Sequence, residues 1–171
     1  MIITTGYCAL MARYNMWQNA SLYAAADALD DAARRADRGA FFGSIHGTFS
    51  HLLWADTIWM SRLGGWVAPA RGIAGSAALY PDWEPLNAAR VAADRRILEW
   101  AGRLTAAALE VELSFHSGAL KRDVTRPMAP CVAHFFNHQT HHRGQVHAML
   151  TAAGAQPGDT DLFVMPEDIG L

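Results

Sequence analysis

The chain has 171 residues, of which 51% are hydrophobic and 18% charged, and its formal net charge is -2. That length and apolar content suit one domain with a single core and exclude a disordered chain; the near-neutral charge gives no general attraction to nucleic acid or anionic lipid. No run approaches the roughly 18 apolar residues of a membrane span, and Met1 to Trp17 has no basic segment ahead of an apolar run, so a cytoplasmic protein without a signal peptide is expected. One count stands apart: eight histidines.

Periodicity predicts four helices. The first covers about Thr5 to Ala36, where Tyr7, Met11, Tyr14, Gln18, Leu22, Ala25 and Leu29 recur at three- and four-residue spacing, with Gly39 as a stop signal. The second runs from about Phe41 to Leu63 along the stripe Phe42, Ile45, Phe49, Leu52, Asp56, Trp59 and Leu63. It is apolar nearly all round, as expected of a helix buried on more than one side, facing its own core and a partner subunit. Asp56, inside that stripe, is a buried carboxylate that needs a partner. Gly64 to Trp83 is a twenty-residue connection rich in Gly and Pro; in a four-helix protein it fits a crossover that lays helices two and three in parallel.

The third helix is predicted over Pro85 to Val111, buried through Ala93, Ile97, Trp100, Leu104, Ala107 and Val111. Leu113 to Arg126 reads as a hairpin or irregular excursion before Pro127. The fourth helix spans Met128 to Ala153 and stops at Gly154, and the Pro-, Gly- and Asp-rich tail lies over the surface. Cys8 and Cys131 are too few and too far apart for a disulfide framework or a four-cysteine zinc site; they are expected to be small buried hydrophobes.

Five of the eight histidines fall within fourteen residues of helix four. Its stripe reads Met128, Cys131, Phe135, His138, His142, Val146 and Met149. His138 and His142 stand at i and i+4, where two imidazoles about 6 Å apart at Cβ can converge on one divalent ion. His134 lies one turn earlier at the edge of this face, His141 is at another edge, and His147 points away. A mononuclear site normally takes a third ligand from another element. Helix two offers His46 and His51 on opposite flanks of its stripe, and periodicity does not choose between them.

The run His51-Leu52-Leu53-Trp54-Ala55-Asp56, followed by Asn137-His138-Gln139-Thr140-His141-His142-Arg143-Gly144-Gln145, resembles the DinB family of metal-binding helical proteins. Tyr14-Asn15-Met16-Trp17-Gln18-Asn19 is similar to that family's first-helix signature, and Gly154 followed by Pro157, Asp161 and Leu162 resembles its closing segment. The resemblance implies an all-α, DinB/YfiT-like four-helix bundle with a long crossover, often a homodimer, as a single domain over residues 1–171. It also implies a divalent metal held by His51, His138 and His142, with His134 in the outer shell. Related bundles include transferases and isomerases that use low-molecular-weight thiols.

Three neutral imidazoles leave a coordination position open, the arrangement for chemistry. The leading reading is a metal-dependent transferase or hydrolase acting on a small molecule, with zinc or nickel ahead of iron or copper. A non-catalytic, stress-induced metal-binding regulator is the alternative. The DNA-damage-inducible association of the family concerns expression, and Arg34, Arg35 and Arg38 are interleaved with Asp30, Asp31 and Asp37, so no nucleic-acid or membrane partner is expected. Asp56 has three candidate roles: general base, orienting partner of a ligand histidine, or structural acid paired with arginine. Gln145 is a further polar residue on the metal face, and Tyr14 and Trp17 are candidates to line the pocket. A di-iron carboxylate site is excluded, because none of the five glutamates has a histidine three residues on.

Overall fold

The computed structural model describes residues 2–170. Four long helices dominate: α1 (Thr5–Asp27), α3 (Ile45–Leu63), α4 (Trp83–Arg103) and α5 (Met128–Ala152), with a single short helix α2 (Asp31–Arg35) after α1. An antiparallel pair, β1 (Glu112–Ser117) and β2 (Arg122–Pro127), joins α4 to α5. None of these helices is long and apolar enough to cross a membrane.

Capping side chains set the boundaries that periodicity overran. The first helix ends at Asp27, not Ala36, because Asp27 turns its carboxylate to the Trp83 indole (2.6 Å) and Asp30 restarts the chain as the N-cap of α2. Ser44 caps α3 by accepting from the Gly47 N–H (3.0 Å), so Phe42, expected within the helix, lies ahead of it. The third helix stops at Arg103, and Val111, expected on its buried face, is exposed. Leu104 there turns to an extended conformation and a 3-10 turn, Ala107–Leu109, puts Leu109 in the core instead. Of the two forms expected there, hairpin or irregular excursion, the hairpin is present, with Leu113 opposite Arg126. The tail crosses α1, where Arg13 donates to the Ile169 carbonyl (2.7 Å), Tyr14 to Thr160 (2.6 Å) and Gln18 to Asp159 (2.8 Å).

Contacts give the helix directions. Phe49 packs on Trp83 near the starts of α3 and α4, Asp56 meets Arg90 midway, and Gly64 lies against Trp100 near their ends. These two helices are therefore parallel, as the long 64–82 connection requires. Helix α1 runs antiparallel to α4, with Tyr23 stacked on Trp83 and Asn15 and Asn19 both reaching Asp94. Helix α5 runs antiparallel to α3, pairing Trp59 with His134 and Asp56 with Gln139.

The interior is divided. One apolar cluster gathers Cys8, Met60, Ile97, Trp100, Phe135 and Phe136; the other gathers Leu22, Ile45, Phe49, Trp83, Val146 and Leu150. Between them lies a buried polar layer with a member from each long helix. Arg90 donates to Asp56 (2.6 Å) and pairs with Asp94 (2.8 Å). Asp94 also accepts from Asn15 and Asn19 (2.9 Å each), Asp56 accepts from Gln139 (3.0 Å), and Arg143 donates to Asn15. Burial opposes the charge on Arg90, but the two carboxylates outweigh it and hold the guanidinium above its ordinary value.

Removing one member of a buried pair leaves the other charge uncompensated, at a cost of about 3–5 kcal/mol. Asp56→Ala is accordingly expected to lower unfolding stability by that amount in urea titrations followed by tryptophan fluorescence. A loss below about 1 kcal/mol, the size of an exposed pair, would show that Asp56 does not hold the layer together.

Candidate metal centre

His51, His138 and His142 come together where α3 meets α5, with one ring nitrogen from each within 4.8 Å of the others. The i, i+4 spacing on α5 brings the Nε2 atoms of His138 and His142 to 3.1 Å. Ligand nitrogens on a tetrahedral zinc, at bonds of about 2.0–2.1 Å, are about 3.3–3.4 Å apart, so this pair is already close to ligating separation.

Second partners select the tautomers. The Ser76 hydroxyl donates to the Ile73 carbonyl (2.7 Å), leaving its oxygen to accept from His51 Nδ1 (2.8 Å). His142 Nδ1 donates to Gln145 Oε1 (2.7 Å). In both rings the proton resides on Nδ1, and the Nε2 lone pair faces the shared centre. Burial and the neighbouring His142 push His51 down to about 3. Burial does the same to His138, with the adjacent histidines adding to it. Three neutral imidazoles with their ring nitrogens gathered in this way are the donor set a divalent transition metal needs.

The surroundings hold this geometry. The Phe42 ring stacks on His51 at 3.6 Å and 17°, and Trp54 lies beside the same imidazole. The crossover is tied to α3 by Ser50 donating to the Ser76 carbonyl (2.8 Å) and Trp54 to that of Arg71 (2.6 Å). A cavity of about 790 Å³ opens from His51 and His138, walled by α3, the crossover, the hairpin and the start of α5.

The other candidates are placed as follows. His46 is not in the group: its Nε2–H donates to the backbone carbonyl of Tyr80 in the crossover (2.8 Å). His134 lines the cavity, 5.9 Å ring to ring from His138, outside the close group. Asp56 is 1% exposed, with its two oxygens taken by Arg90 and Gln139, the arginine-paired arrangement among its three expected roles. Tyr14 lines a different cavity with Arg143 and His147, and Trp17 packs on Tyr14. His116 pairs with Asp123 (2.8 Å) on the hairpin, and His141 is exposed beside His142. Cys8 and Cys131 are buried free thiols, as expected.

Sequence reasoning missed the Ser76 support and the stacking of Phe42. No pattern links a serine in an irregular crossover to a histidine 25 residues earlier. It also centred α5 one position off. Gln139 and Arg143 are buried while His138 is half-buried at the cavity rim, because the polar layer draws those two inward.

The family model of the DinB family matches residues 1–168. The chain belongs to the DinB family. No curated protein and no solved structure gives a significant match. In this DinB chain the structure gathers His51, His138 and His142 into one group that could hold a metal ion.

Zinc added to the metal-free protein is expected to bind at one ion per chain by calorimetry. His51→Ala, His138→Ala and His142→Ala should each abolish that binding, whereas His46→Ala should retain it. Ser76→Ala removes an orienting partner, so a 10–100-fold loss of affinity is expected. Zinc binding that survives His138→Ala undiminished contradicts the assignment. A second expectation concerns Gly47, where an added Cβ would meet the Phe42 carbonyl oxygen at 2.5 Å. Although alanine favours a helix by about 1 kcal/mol, Gly47→Ala should lower the melting temperature, because that backbone must move along with the ring stacked on His51.

Proposed function

We propose that this DinB-family protein holds one divalent metal ion on the Nε2 atoms of His51, His138 and His142. In this reading it is a metal-dependent enzyme of the transferase or hydrolase type, with a low-molecular-weight thiol as a candidate co-substrate. The chain is read as a four-helix bundle with a crossover between its second and third long helices, acting on a small molecule as a cytoplasmic homodimer. The observation that carries the enzyme reading is the cavity of about 790 Å³ that reaches His51 and His138. A closed structural zinc site takes four protein ligands; three histidines beside an open cavity leave room for a reactant.

A divalent ion there supplies Lewis acidity, lowering the pKa of a bound water, polarising a substrate oxygen or holding a thiolate. The protein's own contribution is positional. Ser76 and Gln145 fix the ring orientations, Phe42 and Trp54 keep water from the His51 imidazole, and the crossover closes one wall. No aspartate or glutamate is among the described residues lining the cavity. His134, on the cavity wall beside His138, is placed to accept or return a proton.

The test is turnover by zinc- and nickel-loaded protein, using activated esters and an electrophile presented with a small thiol. Activity is expected with the loaded wild type and should be lost on chelation and in His138→Ala protein of unchanged circular dichroism. Stoichiometric metal binding without turnover on any of these substrates supports the non-catalytic regulator instead.

A further inference from the structure

Three arginines, Arg62, Arg71 and Arg126, line the cavity that opens from the histidine group, and no carboxylate joins them among the described residues. This is unexpected in a chain whose net charge is -2. None of the three has an acidic partner within salt-bridge distance among the described residues. Arg62 is the most enclosed. Its guanidinium lies 4.3 Å from the Phe115 ring centre and 4.9 Å from that of Trp59, and it donates to the His116 carbonyl (3.2 Å). Burial pushes its pKa down from the ordinary value, with no carboxylate beside it to oppose the shift. Arg90, the buried arginine of the polar layer, contrasts with it by meeting two carboxylates. A half-buried guanidinium held between aromatic rings, facing a cavity without counter-charge, has the chemistry of a receptor for an anion.

The remaining wall defines what the anion is attached to. His51, Trp54, Ala55, Ile58 and Arg62 recur at three- and four-residue spacing along one face of α3, and all line the cavity. His51 and Arg62 are eleven positions apart, about 16 Å along a helix axis. Between them the surface is aromatic and aliphatic, and Ile73 from the crossover and Phe115 from the hairpin face it.

We propose that the cavity binds an elongated anionic amphiphile: an apolar or aromatic body lying along Trp54, Ile58 and Trp59, one end at His51 and His138, and a carboxylate at the other end held by Arg62. Arg71 and Arg126 add positive potential and attract the anion without specifying it. A neutral apolar ligand of the same length would bury Arg62 further with nothing to balance it. The placement of the inner end at His51 and His138 rests on the metal-enzyme reading above; recognition of the anion by Arg62 does not.

Decanoate and 1-decanol, below micellar concentrations, serve as matched probes for metal-free protein at low salt, read by fluorescence of Trp54 and Trp59. Decanoate is expected to bind about tenfold or more tightly than decanol, and added salt should narrow the difference. Arg62→Met should erase most of it by weakening decanoate alone, and Arg62→Lys should restore part. Because Arg62 packs on two rings, circular dichroism checks each variant; if Arg62→Met does not fold, Arg62→Lys and the salt series decide. Equal affinity for the two probes in wild type, or decanoate binding unaffected by the Arg62 variant that folds, overturns the proposal. Repeating the titration on His138→Ala protein separates the two readings. Loss of zinc binding with decanoate binding retained leaves the amphiphile site standing, and zinc binding without decanoate discrimination leaves only the metal centre.

Discussion

The ion pair between Arg90 and Asp56, extended by Asp94, is the constraint on which the rest of the arrangement turns. Four charged side chains and three amides are buried at one level of the protein, where an unpaired charge would cost several kcal/mol. Two of the charges are positive and two negative: Arg90 and Arg143 against Asp56 and Asp94. The layer is assembled only when all four long helices contribute: Asn15 and Asn19 from α1, Asp56 from α3, Arg90 and Asp94 from α4, Gln139 and Arg143 from α5. Sliding any one helix by a turn would keep much of the apolar contact on either side but would break this set. Hydrophobic burial supplies the driving force for association, and the layer selects one register from those that burial alone would allow.

The metal centre inherits that register. His138 and His142 flank Gln139 on α5, and Gln139 is held by Asp56 on the helix that also carries His51. The bond between Gln139 and Asp56 therefore sets the height of the two α5 histidines relative to His51. Burial pushes Arg143, immediately after His142, down to about 10, yet it remains charged and anchored to Asn15. The α5 backbone is thus anchored at Gln139 and Arg143, each next to one of the two α5 histidines. A second attachment comes from outside the helices, where Ser76 in the crossover holds the far nitrogen of His51. Burial keeps the three imidazoles neutral, and these attachments fix where their ring nitrogens point.

Much of this was legible in the sequence because helical periodicity is strong where a helix has one wet face. The extent of α5 and the pairing of His138 with His142 follow from spacing, and the crossover from the glycines and prolines of a long connection. The choice of His51 over His46 did not. Both are buried, 4% and 3% exposed, on a helix without a polar side, and only the fold separates them: His51 meets His142 and Ser76, whereas His46 meets Trp83 and Tyr80. The boundaries failed for a related reason. Alanine-rich sequence after Asp27 keeps helical propensity, so the stop there depends on Trp83, a contact made across the fold. Gln139 and Arg143 look like surface residues to any rule that ranks side chains by polarity, because such a rule cannot see that their partners are buried too.

Helix α3 shows most clearly why an all-round apolar pattern has more than one explanation. The pattern suggested a partner subunit covering its outer side. In the folded chain Asp56, Phe49 and Met60 face the interior, Ser50 and His46 are covered by the crossover, and Trp54, Ile58 and Arg62 face the cavity. The inner side and the crossover side of α3 are thus covered within one chain, and its remaining apolar side lines the cavity. The same helix also carries two kinds of charged contact. Asp56, facing inward, is neutralised by Arg90 and serves the fold, whereas Arg62, two turns later on the cavity side, has no such partner. The Phe115 and Trp59 rings and the His116 carbonyl offset part of its desolvation, but they leave the charge beside a large cavity with no anion among the described residues. Its position is better explained by a ligand that supplies the missing charge.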